Sequence, residues 1–277
     1  MKLLVRFLVA VVVAMGLASP AGPAAAASTD SAATGHPRFT ALVLSKTAAF
    51  RHDSIPGGVA AIRQLGARHH FRVDATEDAA AFTDANLARY DVVIWLSTTG
   101  DVLTDPQQAA FERYIRAGGG YAGIHAASDT EYDWSWYGGL VGAYFRDHPG
   151  SVNEQFQVAT VKVLGRDTAA TRPLPRRWQR EEEWYNFRTN PRDTVHVLLS
   201  VDESTYDPRG YSVPGGSPPM GDHPISWCQP SDGGRSFYTA LGHKGTYWDE
   251  PLLLSHVLGG IEMAAGVTQF DCGEEDD

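Results

Sequence analysis

Between residues 40 and 127, short continuous apolar runs alternate with amphipathic segments that end in glycine or histidine. No other feature limits the fold as strongly. TALVLSK (40–46) and YDVVIWLST (90–98) have the unbroken apolar character of strands covered on both faces. PGGVAAIRQLGARHH (56–70) reads as a helix, because Val59, Ile62 and Leu65 share one face and Pro56 suits a first turn. FRVDATED (71–78) follows as a strand. In DPQQAAFERYIRAGGG (105–120), Asp105 is a natural N-cap, Pro106 fits the first helical position, and the glycines end the helix. YAGIHAA (121–127) is the next strand. This order predicts an α/β domain with a mostly parallel sheet and helices on both faces.

The second half is less regular. QVATVKVL (157–164), RWQREEEWYNF (177–187), VHVLLSVD (195–202), ISWCQP (225–230) and RSFYTALG (235–242) read as strands, several of them antiparallel. A Gly/Pro-rich insert, YDPRGYSVPGGSPPMGDHP (206–224), interrupts them as a lid or a surface loop. EPLLLSHVLGGIEMAAG (250–266) is an apolar helix expected to pack on the sheet.

The ends of the chain predict its destination. A basic start, an apolar run and small residues up to Ala27 have the layout of a secretory signal peptide, residues 1–27. A small, polar linker covers 28–37, the domain 38–268, and an acidic tail 269–277. The expected product is secreted and not held in a membrane. The 23 Lys and Arg of the full chain against 33 Asp and Glu give a net charge of −10, which argues against nucleic acid or anionic lipid as partners. The two cysteines, Cys228 and Cys272, lack zinc-site spacing and are expected to pair in an oxidising compartment.

Ligands of open parallel sheets bind beyond the carboxyl ends of the strands. Three such ends run into polar clusters: TAAFRHDS (47–54) with His52 and Ser54, STTGD (97–101), and His125 followed by ASDTEYDW (127–134) with Asp129. A dinucleotide fingerprint is excluded, because Gly118, Gly120 and Gly123 lie between a helix and the following strand, the reverse of the required order. No nucleophile-elbow, phosphate-loop or zinc-protease motif is present, although Ser54 or Ser128 leaves a serine hydrolase formally open. Five histidines, His52, His125, His148, His223 and His243, fall at strand ends or in Gly/Pro-bounded turns, where imidazole can serve as acid, base or ligand. Glu181, Glu182 and Glu183 precede Trp184 and Tyr185, and strand alternation brings at least one of these carboxylates toward a covered face. Aromatic residues near these motifs, Trp134, Trp136, Tyr137, Tyr185, Tyr247 and Trp248 among them, suit the C–H faces of sugar rings.

In order, FRHDSIP, YDVVIWLSTTGDVLT, GGGYAGIHAASDTEYDWSWYGGLVGAYFRDHPG, EEWYNF, DHPISW and GRSFYTALGHKGTYW resemble the ThuA-like, or trehalose-utilisation, family. The resemblance implies a flavodoxin-like sheet similar to the class I glutamine amidotransferases. In those relatives the turn after the glycine-rich strand holds a cysteine nucleophile, whereas the corresponding turn here, GIHAA, holds His125. It also implies action on a disaccharide, a glycoside or a 3-keto-sugar. The family commonly shows Asp-Glu where this chain has Glu182-Glu183.

On this reading His125 and Glu183 are the acid–base pair. His52, Ser54, Asp129, Tyr185 and Trp248 contact substrate, and His148, His223 and His243 are candidate ligands of a zinc ion. The alternative is a carbohydrate-binding protein without turnover.

Overall fold

The computed structural model describes residues 36–150 and 153–273. The expected signal peptide, nearly all of the linker and the last four residues of the acidic tail lie outside the described residues. No helix among the described residues is long and apolar enough to cross a membrane.

The first half folds as the alternation requires. β1 (Thr40–Leu44) leads through α1 (Ile55–His69) to β2 (Arg72–Thr76), and a short α2 (Asp84–Leu87) leads to β3 (Val92–Leu96). Next come α3 (Asp105–Arg116), β4 (Gly120–Ile124), a 3-10 turn (His125–Asp129) and α4 (Ser135–Val141). Pro56 lies in the first turn of α1, and a Thr104–Gln107 capping box starts α3, one residue before the Asp105 cap expected from the sequence. β5 (Phe145–Asp147) pairs with β8 (Asn186–Phe187) in a small separate sheet.

The remaining strands complete one sheet. They are β6 (Phe156–Val163), β7 (Arg177–Glu183), β9 (His196–Val201), β10 (Pro224–Ser231) and β11 (Gly234–Thr239), followed by α5 (Pro251–Ala264). The nine-stranded order is β2-β1-β3-β4-β11-β10-β9-β6-β7. β2, β1, β3, β4 and β11 run parallel, with β11 as the fifth strand of a flavodoxin-like arrangement. From β11 onward each neighbour is antiparallel to the last.

Strand direction then decides where the loops go. β7 and β9 run the same way as the parallel strands, so their carboxyl ends reach the same rim. β6 and β10 run the opposite way, so their amino-terminal ends reach it too. Both halves of the chain therefore deliver loops to one edge. Every residue of β3 and β4 is buried, as their unbroken apolar runs demand. Beneath them Trp95, Phe111, Tyr121 and Tyr137 form a connected aromatic cluster, with Trp95 and Tyr137 centroids 4.8 Å apart. Cys228 on β10 and Cys272 beyond α5 form the expected disulfide.

Candidate functional site

β4 ends abruptly. His125, the next residue, takes a left-handed backbone with φ 53°, a conformation costly for a residue with a side chain. That bend aims its ring back over the sheet, where it is fully buried. Nδ1 donates to the Ala240 carbonyl at 2.8 Å, which fixes the tautomer and leaves Nε2 as a lone pair. Three groups surround that atom: His52 Nε2 at 3.2 Å, His243 Nδ1 at 3.0 Å and the Tyr185 hydroxyl at 3.1 Å. Glu183 Oε2 is 3.5 Å from it and 2.7 Å from His243 Nδ1. Four elements thus meet at one point: the loop after β1, the end of β4, the end of β7 and the loop after β11.

Two backbone devices hold the last of these loops. Gly242 has φ 115°, which a side chain would strain, and it turns the chain so that His243 faces the cluster. The buried Glu182 carboxylate accepts the backbone N–H of Gly242 at 3.0 Å and of His243 at 3.3 Å, while pairing with Arg180 at 2.8 Å. Of the three consecutive glutamates, then, Glu182 shapes the loop and Glu183 faces the cluster. Glu181 stays exposed and bonds Lys244 and Tyr247.

A cavity of about 190 Å³ opens beside the cluster, lined by Phe50, His52, Asp129, Phe145, His148, Gln155, Glu183, Tyr185, Tyr211 and His243. Glu183 divides its carboxylate between two settings. Oε2 faces His243 and His125, whereas Oε1 bonds Gln155 and lies 3.1 Å from His148 Nε2. Burial favours the proton on Glu183, yet the hydrogen bond from His243 and the nearby imidazoles bring its carboxyl below the usual range. Burial, with His243 next to it, pushes the His52 imidazole down to about 4. Burial also takes His125 well below its ordinary value. Asp129 moves the other way, its carboxyl raised by burial despite a bond from Tyr132 at 2.6 Å.

The residues singled out from sequence divide clearly. His52, Asp129, His148, Glu183, Tyr185 and His243 come together at the cavity. His125 sits behind them without reaching the cavity wall. Ser54 is buried at the start of α1 with no partner for its hydroxyl, and Trp248 packs under the β11 loop, donating to the Gly242 carbonyl. Neither lines the cavity. His223 lies one layer back, Nδ1 on Glu203 at 2.9 Å and Nε2 on the Tyr185 carbonyl at 2.8 Å, which leaves no ring nitrogen for a ligand. Ser128 bonds the buried Tyr238 hydroxyl.

Phe50, Phe145, Gln155 and Tyr211 also line the cavity and are not among the residues singled out from sequence. Gln155 precedes the strand that pairs opposite the three glutamates, a pairing of distant segments that no local pattern shows. Tyr211 is carried by the Gly/Pro-rich insert. That insert is pinned by the buried Asp147, whose carboxylate accepts from Ser212, Ser217 and Asn186, so it forms a fixed wall.

Larger concavities exist elsewhere, one of about 700 Å³ around Arg192, His196 and Cys272. It lies where β9 begins, at the opposite rim, and holds no comparable convergence of side chains.

A trehalose-utilisation family model, ThuA, matches residues 40–264. The chain belongs to the ThuA family. Among solved structures, a ThuA-like protein from Bacteroides uniformis is similar at 26% identity and TM-score 0.66, covering 81% of this chain and 90% of that one. Another, from Parabacteroides merdae, has 18% identity and TM-score 0.63 over 84% of this chain and 91% of its own. A Salmonella typhimurium protein described as cytoplasmic shares the fold at 9% identity and TM-score 0.53, covering 82% of this chain and 98% of that one. A search of curated proteins found no match. The ThuA match spans the strands and loops that build the rim, and it relates this chain to carbohydrate metabolism.

Proposed function

We propose that this ThuA protein is an exported enzyme that acts on one ring of a disaccharide, glycoside or 3-keto-sugar by acid–base chemistry at the rim cavity. One observation carries the reading. Asp129, His148 and Glu183 present titratable atoms to a space walled by the aromatic side chains Phe50, Tyr185 and Tyr211. Aromatic walls suit the C–H faces of a sugar ring, and the polar groups suit its hydroxyls and the proton transfers of elimination, hydration or isomerisation. The cavity volume falls below the roughly 300–1,000 Å³ of clefts that enclose whole small molecules. It therefore takes a single ring, with the second sugar outside.

The sequence assigned the acid–base role to His125 with Glu183. Because the His125 ring is sealed behind the wall, the reading gives proton transfer to His148 and Asp129, with Glu183 orienting His148 through Oε1. The disulfide supports export, since such bonds persist in oxidising compartments.

The deciding experiment is a screen of purified protein against trehalose, other disaccharides and their 3-keto forms. Turnover of at least one is expected. His148→Ala and Asp129→Asn should lower kcat by roughly 10²–10⁴-fold with smaller changes in KM, the range for loss of a general acid or base. Sugar binding by the wild type with no turnover of any of these compounds would establish the carbohydrate-binding alternative in its place.

A further inference from the structure

We infer that His52, His125, His243 and Glu183 form a binding site for one divalent transition-metal ion of the zinc class. This goes beyond the sugar reading and does not depend on it. The donor atoms of these four side chains all lie within 4.8 Å of one another. An ion about 2.0–2.1 Å from tetrahedrally placed nitrogen ligands holds them about 3.3 Å apart. The separations of 3.2 Å and 3.0 Å from His125 Nε2 to His52 and His243, and 3.5 Å to Glu183, bracket that value, while His243 Nδ1 and Glu183 Oε2, now hydrogen-bonded at 2.7 Å, would part slightly on binding.

Protons satisfy this arrangement poorly. His125 Nε2 is a lone pair by tautomer, and it faces two further imidazole nitrogens and a hydroxyl at once. The His52 ring is buried, and its Nδ1 has no protein partner, so the cluster supplies its one polar contact. Burying an imidazole for a single nitrogen–nitrogen contact returns little against the desolvation. A cation at the common centre turns four crowded donors into four ligands. Imidazoles with one carboxylate are a donor set suited to zinc, cobalt, nickel or iron.

The surroundings match what metal sites require. The Ala240 carbonyl orients His125 through Nδ1, and Gln155 and His148 hold the outward oxygen of Glu183, as outer-shell partners of ligands do. His52, Glu183 and His243 also line the cavity, which gives an ion a path in from solvent and a face open to an added ligand. The ligand set differs from the histidines picked out by sequence. His243 belongs to it, His148 is an outer partner, and His223 stands apart.

The test uses chelator-stripped full-length protein and zinc chloride or cobalt chloride alone, with no sugar present. Elemental analysis after zinc loading and desalting should give one equivalent per chain. Cobalt loading should give the intense visible bands of a low-symmetry, four- or five-coordinate ion. His243→Ala and Glu183→Gln should each weaken zinc binding by at least about 100-fold by calorimetry, whereas His148→Ala should keep one equivalent. Should His243→Ala fail to fold by circular dichroism, the cobalt spectrum of the wild type and the Glu183→Gln isotherm still decide. Failure of the wild type to bind zinc below millimolar concentration overturns the inference. Zinc affinity unchanged in folded His243→Ala or Glu183→Gln overturns it equally.

Discussion

Burial acts on two kinds of histidine in this protein, and His256 isolates the purely structural kind. It lies in α5, fully buried, and does not line the rim cavity. Nδ1 donates to the Ala170 carbonyl at 2.9 Å, and the Ser226 and Thr239 hydroxyls face Nε2. Burial pushes its imidazole down to about 4. The unfolded chain takes up that proton near pH 6.5, and the folded chain resists it until about 4. The unfolded state therefore binds more protons across that window, and stability falls as pH falls through it. The shift corresponds to on the order of 3 kcal/mol, fully present above pH 6.5 and lost on acidification toward 4. Urea denaturation from pH 7.5 to 4 should show His256→Gln losing less stability than the wild type by about this amount. Parallel curves would mean that His256 is not a source of the acid sensitivity. His256 falls within the apolar segment 250–266 that reads as a helix, and it lies in α5. No motif could show that its ring is sealed, because the sealing groups come from residues 170, 226 and 239.

At the scale of elements, legibility followed locality. β1, β3, β4, α1 and α3 could be read because each carries its own pattern: an unbroken apolar run, or an apolar face with a proline start. The 3-10 turn at His125 and the two-residue β8 carry none. The order of β6, β7, β9 and β10 depends on pairings between distant segments. The same divide runs through the site. His52 and Asp129 follow strands whose direction was inferable, whereas His243 follows a strand whose direction the sequence left open, and Tyr211 and Gln155 arrive through long-range anchoring. Glu182 shows what alternation reads and what it misses. The sequence required at least one carboxylate of the triplet to be covered, and two are, but the Arg180 partner was not foreseen. That pair is buried on both sides, and Arg180 also stacks over Trp178 and Tyr247 with its guanidinium 4.6 Å and 5.0 Å from the ring centres. Removing one member strands the other in a water-poor site, which costs about 3–5 kcal/mol. Arg180→Met keeps much of the stem packing and removes the charge, so it should lose about that much stability in urea. It should also loosen the Gly242–His243 loop, read as broadened or shifted His243 ring signals by NMR. A loss below about 1 kcal/mol would mean that the carboxylate finds water or a proton at little cost.

For the molecule as a whole, the rim and the disulfide are separate devices. The rim is assembled where strands of both halves end. The disulfide joins the middle of β10 to the segment after α5, closing a loop with a sequence separation of 44. α5 already buries Leu253, Val257, Ile261 and Met263, so apolar packing and not the covalent bond seats the helix. The bond acts chiefly on the unfolded chain, whose freedom it restricts by about 4 kcal/mol for a loop of this length on the chain-entropy account. For a domain of this size, roughly 2–4 °C of Tm accompanies each kcal/mol, so reduction or a Cys228→Ala/Cys272→Ala double substitution should lower Tm by about 10 °C. Near-ultraviolet circular dichroism of the aromatic core and zinc stoichiometry at the proposed site should stay unchanged, because neither depends on where the tail is tied. Loss of zinc binding at the proposed site on removal of the disulfide would show that the two devices are coupled through α5. A Tm shift under about 2 °C would show that the tail opens before the sheet does, so that the bond closes a loop already free in the unfolding step.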